Sequence, residues 1–404
     1  MPNVNTFDFE QVATILGTIY GQVTGSTSIV PTTTGDFVSV AQATLRQGVD
    51  PTMQAISRVI DKTIFSNRPY SQKFRGLYND ARRWGSHTRK ITMLDTGYQN
   101  DDRITLTDGL AVDQQIVRKP APFQTNFYGE AIYQKSVTVF RDQLDVAMRG
   151  PDEFAQFLAA VMQNVTDQLT VAEESLARST VVNMIAADGY YYANNLVSEC
   201  VIPLVSIYNN FCGNSPVLTW TDICGDAAEY ERFMRFACAK IVEVANLLTE
   251  RTSWYHVNPT VSGVTKTIMR HTPLSMQNFY ILGSQRYNID AMVKSVTFNE
   301  DYLSKINEAQ VVNFWQAIDA PDEYSSTPSA MNPATGDYTT YAAQTGTGIF
   351  AVIFDRDAVG YTTRNEWSAP APFNAAGGYT NVFYHRTIQY FNDNTENSVV
   401  FTLA

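Results

Sequence analysis

Late in the chain an apolar run, GIFAVIF at 348–354, stops at Asp355-Arg356-Asp357. Two aspartates two residues apart behind a hydrophobic strand could serve as nucleophile and general acid in phosphoryl transfer. That chemistry also needs a phosphate-binding Ser or Thr, a Lys and further acids for magnesium, delivered by later strands and helices of a doubly wound domain. Fewer than fifty residues follow Asp357. They are strand-like, and cannot supply a parallel sheet with its crossover helices. Asp355 and Asp357 therefore read as turn residues at a strand end, capping backbone donors or pairing with Arg356 and Arg364.

No other constellation in the sequence is stronger. His87, His256, His271 and His385 stand at no metal-ligand spacing, and His385 sits in an aromatic strand that suits a packed, hydrogen-bonded ring. Neither G-x-S-x-G nor a Walker loop occurs. Gly346-Thr347-Gly348 precedes a strand, whereas a dinucleotide site needs its glycines after one. Glu173-Glu174 point about 100° apart on a helix and read as a solvated face instead of an acid/base pair. Cys200, Cys212, Cys224 and Cys238 form no C-x-x-C pair and read as reduced, partly buried thiols of a cytosolic protein. No catalytic residue, cofactor or metal site is expected.

The 404 residues carry a net charge of −11, which disfavours any general grip on nucleic acid or anionic membrane. No signal peptide and no membrane span are expected. One basic segment, KFRGLYNDARRWGSHTRK at 73–90, stands out. It reads either as a contact with phosphate or a partner's carboxylates, with Arg82, Arg83, Arg89 and Lys90 as candidates, or as a solvated turn. Aromatic residues reach 12%, which suits broad packed or intermolecular contacts more than a cleft.

The elements that would position these residues follow from periodicity. Phe7, Phe9, Val12, Leu16 and Ile19 share a helix face, and the Thr, Ser, Gly and Pro of 24–36 break it. This reads as a short helix on a flexible arm, with a second amphipathic piece from 51 to 64. From 91 to 139 the period becomes two, in ITMLDTG, DRITLTDG, QQIVRK and AIYQKSVTV. Strands this long and this polar cannot bury themselves, so they should pair with something outside their own domain. After Gly150-Pro151, apolar residues keep 3 and 4 spacing as far as about Ala187, a spine roughly 50 Å long. A clear helix covers about 226–248, strands are expected at 278–284 and 311–318, and a short helix near 288–295. The polar stretch 319–348 reads as a mobile or partner-ordered loop. Strands return at GIFAVIF, YTNVFYHRTIQYF and NSVVFTLA. Terminal strands around a central helix give an α+β layer, and nothing catalytic. The chain's task reads as assembly.

In this order the parts resemble the major capsid proteins of tailed bacteriophages, with the Hong Kong 97-type fold. FYGEAIYQKSVTVFRDQLDVAM at 127–148, followed by DEFAQFLAAVMQNV, looks like the extended strand and spine helix of small podophage head proteins. The closing segment from 348 to 403 is similar to theirs, with a strand ending in an acid pair, a Tyr-rich strand and a terminal V-V-F. The central region matches by element order alone, and the immunoglobulin-like domain of some relatives is not expected.

The resemblance implies an N-terminal arm at 1–75, an extended β-hairpin loop at 76–130, a peripheral domain at 131–190 and 348–404, and a central axial domain at 191–347. It implies homo-hexamers and homo-pentamers closing into an icosahedral virion shell around double-stranded DNA, assembled in the host cytoplasm. Scaffolding, portal and decoration proteins are the implied partners, with packaged DNA held weakly and without sequence preference, and no membrane. The hairpin would lie on a neighbour and complete its sheet. An encapsulin-type compartment shell and an Asp-dependent phosphohydrolase are the alternatives.

Overall fold

The computed structural model describes residues 9–25, 29–48, 51–52, 54–55, 72–79, 87–94, 107–109, 115, 122–261, 263–294 and 304–403. Helix α1 (Phe9–Thr24) turns its predicted apolar face, Val12, Leu16 and Ile19, inward. Helix α2 (Thr34–Arg46) lies inside the stretch read as a flexible arm from its start, and was not foreseen. Thr33 caps it by accepting a hydrogen bond from the Asp36 amide. Phe37 and Val40 of α2 join α1 in one core with Phe154 and Val165 of the central helix. Both described N-terminal helices are thus packed against the body. Most of the amphipathic piece at 51–64 lies outside the described residues.

Strand β1 (Thr88–Met93) pairs antiparallel with β2 (Pro122–Phe127), forming the base of a hairpin. The strands expected at DRITLTDG and QQIVRK lie almost wholly outside the described residues. After one residue the chain enters β3 (Gly129–Phe140), which leaves the hairpin and joins a different sheet. A short helix, α3 (Arg141–Ala147), turns the chain into α4 (Pro151–Ala193), which runs 43 residues and so about 65 Å. The sequence reading stopped this spine near Ala187. It continues because Tyr190 and Tyr191 pack against residues from far downstream.

Past the spine come β4 (Val201–Pro203) and the helices α5 (Leu204–Cys212), α6 (Trp220–Gly225) and α7 (Ala227–Leu247). Asp226 starts α7 by accepting from the Ala228 amide. Small strands β5 (Thr260–Val261) and β6 (Val264–Thr265) precede β7 (Gln277–Leu282) and α8 (Gly283–Ile289). Strand β8 (Gln310–Val312) is shorter than expected, since Trp315 leaves the strand path to bury its ring and donate from Nε1 to the Ile349 carbonyl at 3.0 Å.

The stretch 319–348 is not a mobile or partner-ordered loop. It folds into β9 (Tyr324–Ser326), β10 (Ser329–Met331), β11 (Tyr338–Thr340) and β12 (Gln344–Gly346), paired as β9 with β12 and β10 with β11. Its tyrosines hold it on its own chain: Tyr341 stacks on Tyr190 at 4.0 Å, and the Tyr338 hydroxyl donates to the Asn392 carbonyl at 2.7 Å. Polar composition concealed these anchors, because they are spread singly among turn residues.

The last strands are β13 (Ile349–Asp355), β14 (Val359–Pro370), β15 (Tyr379–Asn392) and β16 (Ser398–Thr402). They divide between two sheets. β13 and β16 form the middle of a five-stranded sheet in the order β4-β16-β13-β7-β8, and β14 and β15 pair in the order β14-β15-β3. Every residue of β13 is buried. Its alternate side chains explain why: Val352 and Phe354 face the spine helix with Val400 and Tyr280, while Phe350 and Ile353 face α7 with Val399 and Phe279. A strand covered on both faces carries an unbroken apolar run, which is the form GIFAVIF takes in the sequence. Each buried aliphatic or aromatic side chain here contributes about 1.5–3 kcal/mol.

Candidate assembly site

The aspartates at the end of β13 make a structural corner. Asp355 is buried, and its Oδ1 accepts from the Asp357 amide at 2.8 Å while Oδ2 accepts from the Thr272 hydroxyl at 2.7 Å. The predicted pairing with Arg364 does not form, because Arg364 reaches Glu130 of β3 at 2.7 Å. Backbone capping was therefore the correct half of that reading. His385 stacks on Trp367 at 4.0 Å, as a packed ring.

The glutamates of the spine helix are not a solvated face. Glu173 and Glu174 are both buried, Glu173 paired with Arg386 of β15 at 2.6 Å and Glu174 with Arg178 at 2.8 Å. The guanidinium of Arg178 also lies over the Phe314 ring at 3.9 Å and donates to that residue's carbonyl. Two adjacent acids can both be internal because each has an arginine: β15 supplies Arg386 to Glu173, and the helix itself supplies Arg178 to Glu174 one turn on. No local pattern reveals the Glu173 pair, since Arg386 comes from another strand more than two hundred residues away.

Of the four basic candidates, Arg82 and Arg83 lie outside the described residues, and Arg89 is exposed on β1 opposite Asn126. Lys90 is turned inward. Its Nζ lies 2.8 Å from Asp393 and also contacts Glu396, while Arg270 meets the same Glu396 at 3.0 Å. Burial alone would lower the Lys90 pKa, but the two carboxylates outweigh it and hold it above its ordinary value. Burial likewise keeps the Glu396 carboxyl above the usual range, even though Lys90 and Arg270 pull it down. The candidate set thus splits between a cation presented to solvent and one engaged by its own chain. Arg270, Asp393 and Glu396 were missed. Their one sequence signal is charge placed beside an apolar strand, which by itself says nothing of a distant lysine.

Strand β3 presents the open side of the molecule. It pairs with β15 along twelve residues and has no partner strand on its other edge among the described residues. Ile132 on it is 72% exposed, and Tyr128 just before it and Phe140 at its end are exposed as well. A long edge with exposed large apolar side chains is a liability in an isolated protein and a template in an assembling one.

A half-open pocket of about 550 Å³ also lies between the spine helix and β4, lined by Ile185, Tyr192, Val201, Tyr324, Ile349 and Val400 among others. Its lining carries no carboxylate, histidine, lysine, arginine or cysteine. Among the described residues no cluster of His, Cys, Asp or Glu is disposed to hold a metal ion, and no helix is long and apolar enough to cross a membrane.

The chain carries a long spine helix, a three-stranded sheet, a hairpin springing from that layer and a second, helix-covered sheet, and as a whole it is similar to chains of solved phage structures. The chain is similar to one from the capsid structure of Staphylococcus phage Andhra, at 12% identity and a TM-score of 0.52, covering 85% of this chain and 89% of that one. It is similar, with 12% identity and a TM-score of 0.53, to a chain from the structure of head fiber and inner core protein gp22 of native bacteriophage P68, covering 85% and 87%. The fold is the Hong Kong 97-type capsid fold, α+β with a long spine helix. No curated protein sequence matches the chain. The chain belongs to the Phi29-like phage major capsid protein family, which matches residues 14–402. It is a phage head protein that assembles with copies of itself into the virion shell. Neither the compartment-shell nor the phosphohydrolase reading finds support in these matches.

Proposed function

We propose that this chain builds hexameric and pentameric rings that close into an icosahedral head around the double-stranded DNA of a tailed phage, in the host cytoplasm. Scaffolding, portal and decoration proteins are its expected partners. The observation that carries the geometry is the unpaired edge of β3, with its exposed Ile132, next to a hairpin whose base has no buried residue on β1. A hairpin from a neighbouring copy could pair with that edge and cover it, giving many modest contacts that together resist disassembly. In this proposal residues 1–75 form the arm, 76–130 the extended loop, 131–190 with 348–404 the peripheral domain and 191–347 the axial domain. The strands β13 and β16 then belong to the axial sheet as much as to the peripheral segment. Proximity of an acidic inner wall to packaged DNA would leave the DNA free to slide, with Arg89, Arg82 and Arg83 as local contacts.

The test is cryo-electron microscopy and sedimentation of the purified chain, expressed with and without candidate scaffolding proteins. Closed shells or five- and six-membered rings with the hairpin, 91–127, across a neighbour are expected; the 131–139 part of the stretch expected to pair outside its own domain is instead held by β15 of the same chain. A compact monomer under all conditions would overturn the proposal. Ile132→Lys should leave monomer stability within about 0.5 kcal/mol, since the side chain is exposed, and reduce shell yield. Unchanged yield would remove β3 from the interface.

A further inference from the structure

The way β1 is attached to the body is unusual for a strand. Its outward side chains include Ile91 and Met93, which are 56% and 54% exposed. Its inward side chains are Thr88, Lys90 and Thr92, all polar. Attachment therefore comes through Lys90 to Asp393 and Glu396, and through Arg270, whose Nη2 donates to the Thr92 hydroxyl at 3.1 Å while it pairs with Glu396. The partner strand β2 supplies the apolar anchor instead: Phe127 packs edge-on to Tyr338 at 5.7 Å and against Phe391 at 5.5 Å.

The body side of this contact is preorganised. Residues 393–398 are all buried, and backbone bonds tie the turn to two other segments: Asp393 N donates to the Ala358 carbonyl, Val257 N to that of Asn394 and Ser398 N to that of Tyr255. Asp393 Oδ1 accepts from the Thr395 amide and hydroxyl, leaving Oδ2 for Lys90. Arg270 is held by paired backbone bonds with Thr252 and donates from Nε to the Thr395 carbonyl at 3.0 Å. The carboxylates and the arginine stay in place whatever β1 does, so the movable member is the lysine on the hairpin.

We propose that Lys90, Asp393, Glu396 and Arg270 form an ionic latch that sets the direction in which the hairpin leaves the body, and that opening it lets the hairpin swing on its Phe127 anchor without unfolding the core. The reason for charge here is reversibility: a strand docked through apolar side chains exposes them to water on release, whereas Lys90 and the two threonines are readily hydrated. Direction matters because a hairpin must meet a neighbour at a defined angle. This last consequence rests on the head-shell reading; the latch itself does not.

Hydrogen–deuterium exchange of the full unassembled chain, read by mass spectrometry, tests it. In Lys90→Met, exchange at 88–93 and 122–127 should rise about tenfold or more while 151–193 and 349–355 stay protected. Glu396→Gln should give a similar rise, and the double variant should add little, because both remove one coupled unit. In the parent chain, raising salt from about 0.05 to about 1 M should speed exchange at 88–93, and in Lys90→Met it should not, since only the partly exposed ion pair is screened. Unchanged exchange at 88–93 in Lys90→Met overturns the latch. If Lys90→Met loosens the body as well, the parent's salt response decides, and a salt-insensitive parent overturns it. Shell formation is scored separately by sedimentation: a parent that never assembles refutes the head-shell reading while leaving the exchange result to judge the latch.

Discussion

Asp188 gives the sharpest quantitative prediction. It lies in the last turns of the spine helix, 2% exposed, with Oδ1 accepting from the Ser398 hydroxyl at 3.1 Å and Oδ2 without a hydrogen-bond partner among the described residues. Burial pushes its pKa from an ordinary 3.8 up to about 8, and the Ser398 bond offsets only part of this. The folded chain therefore holds a proton that the unfolded chain has already released above pH 4. Stability contributed by the neutral acid is complete below about pH 4 and is lost progressively as pH rises toward 8. At about 1.4 kcal/mol per pH unit the loss between pH 4 and 7 is about 4 kcal/mol. Asp188→Asn keeps an acceptor for Ser398 and carries no charge, so it should remove this slope. For a chain of 404 residues, 4 kcal/mol corresponds to about 5 °C in melting temperature. The assay is calorimetry of both unassembled chains from pH 5 to 8, comparing differences so that other titrating groups cancel. The variant should gain on the parent steadily with pH. Parallel profiles, or a variant that loses stability relative to the parent as pH rises, would refute the account.

Three further outcomes follow from the geometry. Arg386→Met leaves buried Glu173 without its arginine and should cost about 3 kcal/mol in urea denaturation, with much of that restored by adding Glu173→Met; a loss under 0.5 kcal/mol would mean that the pair is hydrated. The segment 319–348 should resist limited proteolysis in the parent and become cleavable in Tyr341→Ala, which removes the stack on Tyr190; rapid cleavage of the parent would show that its tyrosines do not hold it. Asp355→Ala removes two buried acceptor bonds and should destabilise by about 2 kcal/mol, whereas loss of a magnesium-dependent phosphatase activity in Asp355→Asn would return these aspartates to catalysis.

Much of the architecture was open to inspection in one dimension. The spine helix shows itself through apolar residues at 3 and 4 spacing after Gly150-Pro151, because a single long face must be covered. GIFAVIF shows itself as a buried strand because it is apolar at every position, and the helix at 226–248 through its periodic apolar residues. The order of these parts carried the resemblance that the family match bears out. Hidden from the sequence was every feature that depends on a residue arriving from elsewhere. Glu173 looks solvated until Arg386 is set beside it, and Lys90 looks like a free cation until the 393–397 turn closes on it. On β1 the apolar parity, Ile91 and Met93, is the exposed one, so alternation marked a strand and pointed to the wrong face. Periodicity is a property of one element, fixed by backbone geometry; ion pairing, aromatic anchoring and the choice between two sheets are properties of two or more elements. Sequence alone thus determined the spine helix, the helix at 226–248 and the closing strands, and that GIFAVIF must be buried. Tertiary structure decided which charges are internal and what holds 319–348, because low-dielectric pairing and ring stacking act only where the fold brings distant side chains within a few ångströms.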